Sequence, residues 1–140
     1  MSNEIEQLAE IYDRCKNDLV LFRQMFLPAE HEVKPAWFHY KWGDVLLNGN
    51  RHYAVEGFRE SAKTSYVLRA FPIHCLVFPS KKKQYIVFIM ANQRAASRRL
   101  KDIAEEYTSN ELMNLNLVRI KEQSEKAFEI VVNDENGEEI

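Results

Sequence analysis

The residues best suited to chemistry lie in one short stretch, "GFRESAKTS", residues 57–65. Gly57, four further residues, then Ala62, Lys63 and Thr64 follow the phosphate-loop pattern G-x-x-x-x-G-K-[ST], except that Ala62 stands where the second glycine belongs. Such a loop holds phosphate with backbone N–H groups at the start of a helix. Its lysine reaches the terminal phosphates, and its hydroxyl helps to hold Mg²⁺. On this reading Gly57, Phe58, Arg59, Glu60, Ser61, Ala62, Lys63, Thr64 and Ser65 surround an ATP molecule. Lys63 is then the working cation, Thr64 the Mg²⁺ ligand, and Glu60 must point outward, since a carboxylate repels phosphate. The competing reading is an ordinary strand-to-helix turn with Lys63 and Thr64 solvated.

Ala62 can be weighed in two ways. If the position needs a positive φ, its β-carbon costs about 1 kcal/mol or more. If the position is helical, alanine costs nothing and helps the first turn.

The elements that must position this loop are legible on either side. "RHYAVEG" before it has strand character, and the helix from Lys63 carries Val67, Leu68 and Phe71 at core spacing. Pro72 is expected to kink or break that helix, with "IHCLVF" continuing for a turn or two before Pro79. A lysine run, Lys81 to Lys83, precedes a nearly continuous apolar run from Tyr85 to Ala91, which predicts a central strand buried on both faces. Asn92 can cap the next helix, with Ala96, Leu100, Ile103, Ala104 and Tyr107 on one stripe. "FEIVVNDENGEEI" reads as a strand, an Asn-Gly turn and the start of a returning strand.

Upstream, Ile5, Leu8, Ile11 and Tyr12 form a helical stripe, and "DLVLFRQMFL" is a second helix between an Asn17-Asp18 cap and Pro28. Pro35 opens a third, "PAWFHYKWGDVLLN", which ends at the turn signal Asn48-Gly49-Asn50. The order predicts an α/β fold with a mostly parallel sheet: residues 1–50 a helical lead-in, residues 51–140 the core. A hairpin whose return strand stops at Ile140 suggests an incomplete domain.

The bulk numbers set loose bounds. The chain has 140 residues, 46% hydrophobic and 29% charged, with a net charge of -2, so any nucleic-acid contact needs a local basic patch. Two cysteines, Cys15 and Cys75, lack metal-ligand spacing and read as reduced, buried thiols. There is no signal-peptide pattern and no apolar run long enough to span a membrane, so cytoplasm is the expectation.

The string "FRESAKT", preceded by "PAWFHYKWGDVL" and followed by an apolar run into "ANQRAASRRL", resembles the large terminase subunit of tailed bacteriophages. The resemblance spans most of the chain from about Leu21, although only the loop motif is specific. It implies a RecA-like P-loop NTPase that uses ATP and Mg²⁺ to drive double-stranded DNA into a procapsid. The partners it implies are the portal and the small terminase subunit, in the host cell cytoplasm. In that family the loop often departs from the consensus and carries a basic residue four positions before the lysine, where Arg59 stands. Arg59 would then join Lys63 as a catalytic cation acting on the γ-phosphate. Pro35, Phe38 and His39 match the segment that lies near the adenine.

The family's Walker B aspartate and catalytic glutamate have one candidate here, Asp134-Glu135 after "EIVV". Asn133 and the Asn136-Gly137 turn favour a hairpin instead. On that reading the chain is the N-terminal part of the ATPase, truncated before Walker B and without the nuclease domain. It would bind nucleotide weakly and turn it over slowly or not at all. Another P-loop translocase or helicase-like ATPase, or a non-catalytic interaction module, remains the alternative.

Several residues carry two readings each. Arg59 is either the phosphate contact or a surface arginine paired with Glu56 or Glu60. Phe38 and His39 either flank the base, with Trp37 and Trp42 turned elsewhere, or belong to an aromatic helix packed on the sheet. Arg94, Arg98 and Arg99 could touch DNA phosphates or pair with Asp102 and Glu105 along a solvated face. His31, His52 and His74 share no spacing that suggests metal binding or catalysis.

Overall fold

The computed structural model describes residues 2–28, 34–49, 52–80, 85–113, 118–124 and 126–132. The chain divides after His74 into two units.

In the first unit, α1 (Ser2–Cys15) and α2 (Leu19–Phe26) are joined through Asp18. Asp18 has extended backbone, and its carboxylate accepts the Leu21 N–H at 2.9 Å, satisfying one orphan donor of α2. The apolar face of α2 is deeply buried: Leu19, Val20, Phe22 and Phe26 belong to the core with Cys15 and Leu27. Helix α3 (Trp37–Asn48) packs closely enough on α2 that a β-carbon at Gly43 would lie 3.1 Å from Leu19 Cβ. Pro35 lies just outside α3, and Ala36 is its N-cap. Burial, with Asp18 nearby, pushes the Cys15 thiol up to about 11, against a smaller opposing effect of Arg14. His74 Nε2 donates to the Cys15 carbonyl at 3.0 Å.

The helix after the loop begins as α4 (Lys63–Ser65), widens into a π-helical turn (Tyr66–Ala70), and resumes as α5 (Phe71–Val77). Helical structure therefore continues through Pro72, where the sequence predicts a kink or break. Proline is costly in an α-helix because it lacks an N–H and its ring meets the carbonyl four residues back. Here the ladder has already shifted: the Phe71 N–H reaches the Tyr66 carbonyl, five residues back, immediately before the proline.

In the second unit, Asn92 caps α6 (Gln93–Ser109) by accepting the Ala95 N–H at 2.9 Å. Ile103, Ala104 and Tyr107 on its apolar stripe are buried. A 3₁₀ turn (Glu111–Met113) follows, and β1 (Val118–Gln123) pairs antiparallel with β2 (Phe128–Val132). The register runs from Val118 opposite Val132 to Gln123 opposite Phe128, with an irregularity between Ile120 and Glu122. Lys121 lies at that irregularity and reaches Glu129 Oε1 at 2.8 Å. Ser124 closes the hairpin end: its N–H donates to the Ala127 carbonyl, and its hydroxyl accepts from the Lys126 and Ala127 N–H groups.

This architecture overturns the expected α/β P-loop fold. Among the described residues the chain is mostly helical, and its sheet has two antiparallel strands in place of a mostly parallel sheet. Residues 52–58 belong to no helix and no sheet. Residues 85–90 likewise pair with no other described strand, and Tyr85, Val87 and Ile89 are 91%, 78% and 92% exposed. An apolar run has the shape of a buried strand, but only neighbours that share its hydrogen bonds make it one. The strand that does form at β1 was legible in the alternation of Val118 and Ile120 with Arg119 and Lys121, a period-2 pattern that sequence reasoning passed over. The proposed Asn136-Gly137 turn, Asp134 and Glu135 lie outside the described residues, as do Lys81 to Lys83 and His31. Among the described residues no helix is long and apolar enough to cross a membrane.

Candidate functional site

The loop from Gly57 to Ala62 is a turn followed by a left-handed step. The Ser61 N–H bonds back to the Phe58 carbonyl at 3.2 Å, closing a four-residue turn with Arg59 and Glu60 at its centre. Glu60 has φ 67°, as the third position of a type II turn requires, although glycine is the usual residue there. Ala62 follows with φ 60° and ψ 20°, then Lys63 enters α4, and the Tyr66 N–H closes onto the Ala62 carbonyl at 3.0 Å. The sequence left two conformations open for Ala62, and the left-handed one is adopted. Two non-glycine residues in this region within three positions store strain of about 1–2 kcal/mol each.

Gly57 is required for close approach. A β-carbon there would lie 2.5 Å from Ser61 Oγ and 3.1 Å from the Trp42 ring. Ser61 is 3% exposed, and its hydroxyl, buried under the loop, has no hydrogen-bond partner. Lys63 is exposed and its Nζ lies 3.5 Å from the Gly57 carbonyl, a long contact that folds the ammonium back over the loop. Thr64 and Arg59 are exposed, and Arg59 pairs with neither Glu56 nor Glu60. Glu60 is exposed too, as the outward placement requires. Ser65 is drawn the other way: its hydroxyl accepts from Arg23 Nε at 3.0 Å.

Beside the loop, between α3 and residues 53–58, is a cleft of about 930 Å³. Trp37, Phe38, Lys41 and Trp42 line one side, Tyr53, Val55, Gly57 and Phe58 the other, and Lys63 lies at its edge. Phe38 is in edge contact with Phe58, ring centroids 5.8 Å apart. Trp37 and Trp42 thus share the cleft with Phe38, where the sequence reading turned them elsewhere. Their indoles were the missed signal, since Trp42 recurs four residues after Phe38 on the same helical face.

His39 does not join them. It is buried beneath the loop, where the Ala36 N–H donates to Nδ1 at 2.9 Å and Nε2 lies 2.8 Å from the Ser61 carbonyl. A backbone N–H can only donate and a carbonyl can only accept, so the ring carries its proton on Nε2. The imidazole stacks on Tyr66 at 4.5 Å and 18°, and the Arg23 guanidinium lies 4.7 Å from the centre of the same Tyr66 ring. Burial raises the Tyr66 phenol above its ordinary value, with Arg23 opposing.

The three arginines of α6 separate. Arg94 and Arg98 line a second groove of about 1030 Å³ with Lys101, Asp102, Glu105 and the hairpin residues Gln123 and Ser124. Arg99 is not on it and lies 4.0 Å from Asp102, while Lys101 pairs with Glu105 at 3.6 Å. The groove is therefore of mixed sign, with Arg94 and Arg98 as the cations that pair with neither acid. Among the described residues no group of three His, Cys, Asp or Glu side chains could hold a metal ion.

Comparison of the chain with protein-family models, with curated proteins and with solved structures finds no match.

Proposed function

We propose that the Gly57–Thr64 loop binds the phosphates of ATP, and that the chain is the ATP-binding portion of a viral motor of the terminase large-subunit type. Such a motor couples ATP hydrolysis to translocation of double-stranded DNA into a procapsid. One observation carries the nucleotide reading. A loop with the phosphate-binding residue types leads into a helix at Lys63, with a glycine where no β-carbon fits and an aromatic-lined cleft alongside. Gly57 and the buried Ser61 pack against each other and against Trp42, which holds the loop in shape beside the cleft. Trp37, Phe38 and Trp42 offer flat faces for a base, Lys63 and Arg59 the charge for phosphates, and Thr64 a hydroxyl for Mg²⁺. The reading rests on the loop and its cleft; the motor, with portal and small subunit as partners, rests on the resemblance of "FRESAKT" and its flanks.

The test is calorimetric titration of the folded protein with ATP and Mg²⁺. Binding that falls at least about tenfold in Lys63→Ala supports the reading, since a charge-assisted phosphate contact contributes about 1.5–3 kcal/mol. No heat from folded wild type sinks it. For DNA, Arg94→Ala/Arg98→Ala should weaken binding to a short duplex at every sequence tried and lower the salt slope by about 2.

A second reading, an interaction module without nucleotide, is favoured by the exposed apolar run at Tyr85, Val87 and Ile89. The same titration separates the two.

A further inference from the structure

We propose that His39 is a positioning residue of the phosphate loop, joining the aromatic wall of the cleft to the backbone that would face the phosphates. This rests on the nucleotide reading of that loop. The connection is continuous. Trp37, Phe38 and Trp42 of α3 line the cleft, and His39 of the same helix donates to the Ser61 carbonyl at 2.8 Å. Ser61 stands between the two left-handed residues, Glu60 and Ala62. The ring cannot rotate freely to release it, because Nδ1 holds the Ala36 N–H and one face stacks on Tyr66. A strained segment keeps its shape only when its surroundings over-determine it. His39 supplies that constraint through the Ser61 main-chain carbonyl and does not line the cleft. Movement of α3 on filling of the cleft would thus be felt at Ser61, one residue from Ala62 and two from Lys63.

The test compares wild type with His39→Phe, which keeps a flat ring against Tyr66 but loses both hydrogen bonds. His39→Gln can restore a donor to the Ser61 carbonyl. Ala36→Pro removes the N–H held by Nδ1 and leaves the imidazole in place. Two quantities are read: amide exchange of residues 58–62 without ligand, and affinity for ATP with Mg²⁺. Losing two hydrogen bonds of ordinary net strength should speed loop exchange and weaken ATP binding, each about tenfold in His39→Phe. His39→Gln should recover most of both, and Ala36→Pro should lie between. Unchanged loop exchange in His39→Phe overturns the proposal, as does equal impairment in Phe and Gln variants. If His39→Phe does not fold, unchanged exchange in Ala36→Pro overturns it equally. Failure of wild type to bind ATP would refute the nucleotide reading alone, because the exchange measurement still decides what His39 does.

Discussion

The loop at residues 57–65 and the apolar run at residues 85–90 are opposites in how they are held. The loop is polar and strained, yet its main chain is held at several points: Phe58 and Ser61 close a turn, His39 takes the Ser61 carbonyl, and Trp42 presses on Gly57. The run is apolar and holds no residue at positive φ, yet Tyr85, Val87 and Ile89 are open to solvent. Residue character alone would rank them the other way. What decides is whether contacts exist to satisfy the segment, and His39 and Trp42 of α3 supply the loop with them.

The sharpest way to break this comparison is to crowd the loop. Gly57→Ala should destabilise the protein by about 1–3 kcal/mol, the usual cost of overpacking, because the new methyl meets Ser61 and the Trp42 ring. Chemical denaturation measures it, and an unchanged midpoint would mean the loop is looser than its contacts imply. A smaller effect of opposite sign is expected at Ala62. Relief of left-handed strain, about 1–2 kcal/mol, exceeds the extra chain entropy of glycine, about 0.5–1 kcal/mol. Ala62→Gly should therefore stabilise by about 0.5–1 kcal/mol in the same denaturation series. Smallest of all is the effect of charging the apolar run. Ile89→Lys should change stability by no more than about 0.5 kcal/mol while raising solubility, because the side chain is 92% exposed. A loss of several kcal/mol there would show that Ile89 is covered in solution and would collapse the contrast between the two regions.

The same contrast explains what could be read from the sequence. The caps at Asp18 and Asn92 were legible because each is one side chain meeting an N–H three residues on. The start of a helix at Lys63 was legible from the loop motif and the core spacing of Val67, Leu68 and Phe71, although no side chain caps it. The choice Ala62 had to make was legible without its outcome. The strand at Phe128–Val132 was legible too, but the absence of a parallel sheet among the described residues was not. "YIVFIM" carries the composition of a central strand, but hydrogen-bonded neighbours are a property of the whole chain, and none of the described strands pairs with it. The resemblance puts Phe38 and His39 together near a base, with packing of both in an aromatic helix as the other reading. Successive helical residues point about 100° apart, which sends Phe38 to the cleft and His39 beneath the loop.

The wide turn from Tyr66 to Ala70 has its own consequence for how this helix tolerates insertion and deletion. A π turn amounts to one residue inserted into an α-helix, so everything after Ala70 is rotated by about 100° relative to an uninterrupted count from Lys63. Deleting one residue within it would restore regular winding, yet it would also bring the Pro72 ring against a carbonyl four residues back. As long as residue 72 is proline, the surplus residue is locked in and Ile73 and Val77 keep their buried face; with Pro72→Ala the helix becomes free to lose it.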